Sequence, residues 1–373
     1  MQYLDLKKQY LSIKEEIDQA IGRVVENCSF IGGEEVDSLE KEIAEFSGAS
    51  CGIGVNSGTD ALFLALKSLG IEKGDEVITS PFTFIATAEV IANVGAKPVF
   101  VDIKPDTFNL DPSKIKEKIN EKTKAIIVVH LFGQMADMKE IMEIARENDL
   151  AVIEDAAQAI GAEYNSKKAG SLGILGCFSF FPSKNLGAYG DGGMIITQND
   201  NLAENIRILK NHGSSKKQKY LNLVLGINSR LDGLQAAILR VKLKHLDSWN
   251  KKRGENANIY NEALKGVGDI IIPKIADNRS HIYHQYTIRT SKRNELKDYL
   301  KERNIPSMIY YPLPLHLQPA FSYLGCKEGD FPEAEKASKE VLSLPIYAEL
   351  SGQDQKTIIK ELKNFFEKNV ANK

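Results

Sequence analysis

The chain has 373 residues, 43% of them hydrophobic, and a formal net charge of −2. That length buries a large core and suggests two lobes, and the near-neutral balance excludes neither fold class nor chemistry but argues against disorder and against a nucleic-acid-binding surface, leaving a small-molecule substrate as the expectation. Cys28, Cys51, Cys177 and Cys326 are scattered without a C-x-x-C pair, which predicts no metal cage, no disulfide framework and a reducing, cytoplasmic setting.

The start, Met1-Gln-Tyr-Leu-Asp-Leu-Lys-Lys8, is charged almost at once, and no apolar run reaches the roughly 20 residues of a membrane helix, so neither a secretion signal nor a membrane anchor is expected. Residues 11–27 and 34–46 carry apolar positions at helical spacing, with the turn Phe30-Ile-Gly-Gly33 between them. From about 51 to 200, short β-rich runs alternate with helical stretches: Glu76–Thr79, Pro98–Asp102, Ala125–Val129, Ala151–Ile153 and Met194–Thr197. Such alternation predicts an α/β fold with a largely parallel central sheet sandwiched by helices. Leu231–Trp249 reads as one long helix and 250–265 as another, and the charged junction Trp249-Asn-Lys-Lys-Arg253 marks the expected boundary between a large domain, 1–249, and a small C-terminal α+β domain, 250–373. In the latter, Ile270–Pro273, the alternating run His281–Arg289, and helices near 294–303 and 333–341 are expected.

The most informative stretch is Cys177-Phe-Ser-Phe-Phe-Pro-Ser-Lys-Asn-Leu-Gly-Ala-Tyr-Gly-Asp-Gly-Gly193, which sets Lys184 among apolar neighbours and glycines. A lysine attacks carbonyls only when desolvation or nearby charge lowers its ammonium pKa, and an amine so tuned can hold a pyridoxal aldehyde as a Schiff base. Upstream, Leu150–Ile153 reads as a buried strand with Glu154 and Asp155 at its carboxyl end, where open α/β sheets place ligands. A carboxylate there can keep a pyridine nitrogen protonated, and Asp155 is the candidate; on residues alone, a capping Asp155 and an ordinary loop Lys184 stand beside that reading. Val55-Asn-Ser-Gly-Thr-Asp-Ala-Leu62 reads as a loop entering a helix, either a simple N-cap or a phosphate site.

Asp155-Ala-Ala-Gln158, Ser179-Phe-Phe-Pro-Ser-Lys-Asn185 and Gly190-Asp-Gly-Gly193 resemble the sugar-nucleotide aminotransferases of the DegT/DnrJ/EryC1/StrS family, over nearly the whole chain from Leu4-Asp-Leu6 to Leu344-Pro-Ile346. The resemblance implies fold type I and pyridoxal 5′-phosphate, with Lys184 carrying the cofactor and Asp155 meeting its ring nitrogen. It also implies Gly58, Thr59 and Ser179 near the phosphate, Phe84 stacked on the ring and Gln158 near the ring hydroxyl. Asn228 is implied to reach the cofactor phosphate of the neighbouring subunit, which makes a homodimer with shared active sites. Some relatives carry His in place of the lysine and remove a hydroxyl; this chain keeps Lys184, which favours amino transfer from L-glutamate. A structural salt bridge and a substrate contact are both open for Arg230. Tyr310, Tyr311 and His316 are candidates for the sugar pocket, with edge-strand or interface packing the plainer alternative. Lys216-Lys-Gln-Lys219 reads as a solvated loop or a diphosphate contact.

Asn228–Asp232, Leu234–Ala237, Tyr311–His316 and Gly329–Pro332 resemble the branch acting on 3-oxo sugars more than the 4-oxo branch. A dTDP-3-oxo-6-deoxyhexose acceptor is therefore expected, with a UDP-linked 3-oxo uronic acid or a 4-oxo sugar nucleotide as the alternative. A dinucleotide fold is disfavoured because the third fingerprint glycine after Gly52-Ile-Gly54 falls at Ser57. A regulatory protein of the same fold is disfavoured by Lys184 and Asp155 both being present.

Overall fold

A computed structural model describes residues 1–215, 217, 218 and 220–371. Three helices lead in, α1 (Leu6–Ser12), α2 (Lys14–Glu26) and α3 (Glu34–Ser47). The central sheet takes β1 (Cys51–Val55), β2 (Glu76–Thr79), β3 (Lys97–Phe100), β4 (Thr123–Val129) and β5 (Ala151–Asp155). A small hairpin, β6 (Glu163–Tyr164) and β7 (Lys167–Lys168), precedes β8 (Leu175–Ser179) and β9 (Gly193–Thr197), which complete it. The strand order is β1-β9-β8-β5-β4-β2-β3, parallel throughout except that β9 runs against both neighbours.

Side chains alternate across each strand, so the sheet feeds two cores. Ile78, Ile126, Val128 and Val152 pack beneath α3, α6 (Met138–Glu147) and α8 (Gly233–Leu243). Val77, Ala125, Ile127 and Ile153 face α4 (Gly58–Ser68), α5 (Ala86–Asn93) and α7 (Asp200–Leu209). Apolar residues covered on both faces are what the near-continuous runs of these strands require.

Strand β1, although Gly-rich, pairs with β9 along its whole length. A Cβ on Gly52 would overlap the Glu40 carbonyl oxygen, so glycine serves the packing of α3. One expectation is corrected. The long helix breaks at Lys244–His245, not at Trp249, and α9 (Leu246–Leu264) runs straight through the charged junction. Its buried positions, Leu246, Trp249, Arg253, Ala257, Tyr260 and Leu264, keep helical spacing, and Arg253 is tolerated inside because it donates to the carbonyls of Tyr283 and Ile346.

Beyond α9, β10 (Tyr286–Arg289) and β11 (Val341–Leu344) form an antiparallel pair covered by α10 (Arg293–Glu302) and α12 (Gly352–Ala371), with α11 (Pro332–Glu340) leading into β11. These elements enclose their own apolar cluster, including Tyr260, Ile288, Leu296, Leu344 and Leu362. No described helix is long and apolar enough to cross a membrane.

Candidate active site

The carboxyl ends of β5 and β8 and the start of α4 converge on a cleft of about 340 Å³. Adjacent residues of β5 point to opposite sides, and this separates the two acids at its end. Glu154 is wholly buried and spent: it accepts from His130 Nε2 at 2.8 Å and from the backbone N–H groups of Gly170, Leu172 and Gly173. His130 Nδ1 accepts from Ala136 N, which leaves the ring proton on Nε2.

Asp155, 6% exposed, lines the cleft. Its Oδ2 accepts from Thr87 Oγ1 at 2.7 Å and its Oδ1 from Ala157 N at 3.2 Å, while Thr87 in turn meets Thr83 Oγ1. Burial pushes the carboxyl above its ordinary pKa, and the Thr87 and Ala157 hydrogen bonds and the Lys184 charge oppose that push.

Lys184 sits in the loop that leaves β8 and returns as β9. Phe180 N donates to Gly192 O, Ala188 N to Phe180 O and Lys184 N to Phe181 O, so the loop is folded onto itself. A Cβ on Gly187 would overlap the Pro182 carbonyl oxygen, hence the glycine. Desolvation lowers the Lys184 pKa to about 8, against the pull of Asp155 in the same cleft.

The opposite end of the cleft is built from close glycine contacts. A Cβ on Gly58 would lie 2.6 Å from Ser179 Cβ, and one on Gly193 would overlap Ser57 O, so the start of α4 presses against the ends of β8 and β9. Ser57 caps the helix by accepting from Asp60 N at 3.0 Å. The N–H groups of Gly58 and Thr59 have no intrahelical partner at this helix start, and the dipole favours an anion there.

Phe84 holds its ring 55% exposed at the cleft. Gln158 is fixed in orientation, its Oε1 accepting from Phe132 N at 2.8 Å and its Nε2 donating to Tyr311 Oη at 3.1 Å. Tyr310 and Tyr311 complete the wall, and burial raises both phenol pKa values. These groups fit pyridoxal phosphate: a buried carboxylate for a ring nitrogen, unpaired amides and a serine hydroxyl for a phosphate, a low-pKa amine for an aldehyde and an exposed ring for stacking.

Gly58, Thr59, Phe84, Asp155, Gln158, Ser179, Lys184, Tyr310 and Tyr311 thus meet in one cleft. Asn228 and Arg230 do not line it; Asn228 is exposed on a bridge to Asn211, and the buried Ser229 between them holds Asn56 N. Among the described residues Arg230 makes no ion pair. His316 is also outside the cleft: it is 2% exposed, bonded through Nε2 to Glu335 at 3.1 Å and packed on Phe331, in a turn pinned by Leu315 N to Pro81 O. A short buried turn, not a sugar-facing loop, takes up that part of the motif. Lys216 and Lys219 lie outside the described residues. Thr87, Phe181, His284 and Gln285 also line the cleft without being among the expected site residues; Thr87 follows Phe84 by three residues, and His284 and Gln285 lie in the run His281–Tyr286, whose side chains suit hydroxyl binding and stacking on sugars as well as an edge strand.

The sequence profile described as the DegT/DnrJ/EryC1/StrS aminotransferase family matches residues 11–363. The chain is 55% identical to a Geobacillus stearothermophilus protein named pleiotropic regulatory protein, over 97% of this chain and 98% of that one. It is 47% identical to the UDP-N-acetyl-3-dehydro-alpha-D-glucosamine 3-aminotransferase of Acidithiobacillus ferrooxidans, over 93% of each. Identity to the dTDP-3-amino-3,6-dideoxy-alpha-D-galactopyranose transaminase of Aneurinibacillus thermoaerophilus is 45%, over 97% and 99%. The crystal structure of S. venezuelae DesV in complex with a ketimine intermediate superposes with a TM-score of 0.96 at 41% identity, covering 98% of both chains.

Proposed function

Because the chain belongs to the DegT/DnrJ/EryC1/StrS aminotransferase family, we propose that it moves an amino group from L-glutamate to C3 of a nucleoside-diphosphate-linked 3-oxo sugar, using pyridoxal 5′-phosphate. The acceptor we favour is a dTDP-3-oxo-6-deoxyhexose, giving a 3-amino-3,6-dideoxyhexose nucleotide. The observation that carries this reading is the pairing of Lys184 and Asp155 in one cleft with the bare amides of Gly58 and Thr59. A UDP-linked 3-oxo sugar is the second reading, supported by the name of the relative at 47% identity. The regulatory name of the relative at 55% identity does not outweigh the intact lysine and carboxylate of this chain.

When bound, the cofactor supplies an electron sink that lets a C–H bond beside the amine ionise. The chain does the rest. Asp155 holds the ring nitrogen's proton, with Thr87 and Ala157 N fixing its two oxygens. Gly58 and Thr59 N–H and the Ser179 hydroxyl bind the phosphate. Phe84 covers one face and excludes water, and Gln158, locked by Phe132 N and Tyr311, aligns the ring edge. Lys184 Nζ takes the proton from the donor carbon and returns it at the neighbouring position, a task suited to a pKa of about 8. In the second half-reaction the same amine works in reverse on the sugar, which Tyr310 and Tyr311 face. Amino donor and acceptor therefore use one site in turn, and the kinetics are ping-pong.

The working unit in this reading is a homodimer in which Asn228 reaches the phosphate of the partner's cofactor and Arg230 supports that loop or an anionic substrate group. Exposed apolar side chains flank the segment: Phe30 and Ile31 on one side, Leu223 and Leu225 on the other, the last 96% exposed. These exposed apolar side chains support an interface at this segment. The division into a large domain, 1–249, and a small one, 250–373, is supported by the separate C-terminal core. A cytoplasmic location suits four free cysteines.

The test is the purified protein with added pyridoxal phosphate: a near-visible band bleached by borohydride and absent in Lys184→Ala is expected. A panel of dTDP- and UDP-linked 3-oxo and 4-oxo sugars, generated in situ with glutamate and followed by 2-oxoglutarate, assigns the acceptor. Absence of any band, or turnover confined to 4-oxo sugars, overturns the respective part.

A further inference from the structure

A chain of hydrogen bonds runs from the N-terminal arm to the residue beside Lys184. Asn185, 5% exposed, spends both hydrogens of its Nδ2, on Asn250 Oδ1 at 2.7 Å and on Ile282 O at 3.3 Å. Asn250 cannot turn its amide round, because its own Nδ2 donates to Ile160 O. Asn185 Oδ1 is therefore the atom 3.1 Å from His284 Nδ1, and since an amide oxygen only accepts, Nδ1 carries the ring proton. From the other side, the Gln285 amide lies between Tyr3 and His284: its Oε1 accepts from Tyr3 Oη, and its Nε2 is the atom 3.4 Å from His284 Nε2. An N–H aimed at Nε2 requires a lone pair there. Asn185, fixed by its two acceptors, thus sets the proton on Nδ1, and Gln285 in this orientation leaves Nε2 with its lone pair.

The surroundings agree. His284 is 6% exposed, and the charged groups facing it are cations, Lys184 from the β8–β9 loop and Arg253 from α9; the Asp155 carboxylate faces Lys184. Burial and these two charges hold the imidazole well below its ordinary pKa.

We propose that Tyr3, Gln285 and Asn185 act as positioning residues that lock His284 as a non-basic Nδ1–H imidazole, so that the proton carried by Lys184 is not shared with it. The inference rests on the role proposed above for Lys184. In each half-reaction a C–H bond breaks as an N–H bond forms on Lys184 Nζ, and the same proton must later leave that nitrogen for carbon. An imidazole of ordinary basicity, pKa about 6.5, lining the same cleft as an amine of about 8 would drain a share of it. Locked, His284 returns none and takes none. The first residues of the chain, which touch neither reacting atom, thereby become part of the catalytic apparatus.

The experiment is long-range 1H–15N NMR of the cofactor-loaded protein, with the His284 signal among six histidines assigned through His284→Gln. The expected result is an Nδ1–H tautomer that does not titrate between pH 5.5 and 9. In Tyr3→Phe the freed Gln285 amide turns its oxygen to His284 Nε2, both ring nitrogens then find acceptors, and the ring titrates within that range while the cofactor absorbance stays. Gln285→Glu places an acceptor there directly and gives the same change, which covers the case in which the arm detaches in Tyr3→Phe. An Nε2–H tautomer in the parent, a parent His284 that titrates near 6.5, or a signal unmoved in both variants overturns the proposal. Failure of the Lys184 reading is separate: it shows as borohydride-stable absorbance or as a band that survives Lys184→Ala.

Discussion

Asp155→Asn separates two consequences of one negative charge. In the parent, desolvation lowers the Lys184 pKa from 10.5 to about 8, and the Asp155 carboxylate opposes the drop by favouring the ammonium. The drop corresponds to about 3 kcal/mol against the charged amine at 1.36 kcal/mol per pKa unit. At pH 7 about one tenth of Lys184 is then free amine, against fewer than one in a thousand for an ordinary lysine. Removing the carboxylate's charge removes the opposing effect, so the midpoint falls below 8 and the free-amine fraction at pH 7 rises several-fold, reaching about one half for a loss of about one pKa unit. The asparagine fits: its oxygen accepts from Ala157 N, its Nδ2 donates to Thr87 Oγ1, and Thr87 turns its own hydroxyl to Thr83 Oγ1, 3.2 Å away. Stopped-flow absorbance of apoprotein mixed with saturating pyridoxal phosphate, from pH 6 to 9.5, reads the midpoint as covalent capture. The variant should capture cofactor faster than the parent at pH 7 yet turn over on the order of 100-fold more slowly, because the ring nitrogen has lost its anion. An unmoved or raised midpoint refutes the electrostatic coupling; an unchanged turnover moves the ring's partner elsewhere.

Thr87→Val removes the 2.7 Å donor to Asp155 Oδ2, an interaction of about 1.5–3 kcal/mol for a charged acceptor, so the carboxyl pKa rises further and the acid limb of the kcat–pH profile moves upward by one to two units. Gly58→Ala drives a methyl group to 2.6 Å from Ser179 Cβ and displaces the helix start from β8; cofactor Kd by titration should rise at least tenfold, with kcat at saturating cofactor changing less. Mixed dimers of Lys184→Ala and Asn228→Asp subunits should regain activity through one intact centre if Asn228 acts across the interface, as measured after verified subunit exchange. Lys184→Met in the apoprotein should raise the thermal midpoint measured at pH 7. The folded-state pKa lies below the unfolded one, so the ammonium is penalised throughout the range below about 8, the penalty fades between 8 and 10.5, and the gain from the substitution vanishes by pH 11.

The parts of the site that were legible in the sequence are those that a short stretch of chain carries whole. Asp155 ends an apolar strand, Lys184 sits in its own glycine-closed loop, and Gly58 and Thr59 open a helix, so each position follows from its neighbours in sequence. What failed depended on distant contacts. Arg253 stands in a charged junction where a helix break was expected, and only the Tyr283 and Ile346 carbonyls make it a core residue and let α9 run through. His316 and His284 show the same limit from both sides. Both stand in tyrosine- and histidine-rich runs, yet Glu335 and Phe331 draw the first into a structural pair, while Asn185 and Gln285 hold the second at the cleft.

The reversed strand β9 has a consequence for how this scaffold diverges. Ser179 and Gly193 are paired across β8 and β9, so the segment between them leaves and re-enters the sheet at adjacent points, as a cassette stapled at both ends. The side chain it turns into the cleft can be exchanged without altering the register of any parallel strand, while Leu186 and Ala188 stay in the core and Asn185 on Asn250. A descendant could lose the amine, gain a different side chain in its place and keep the whole architecture, which is how one framework can serve proteins named for catalysis and proteins named for regulation alike.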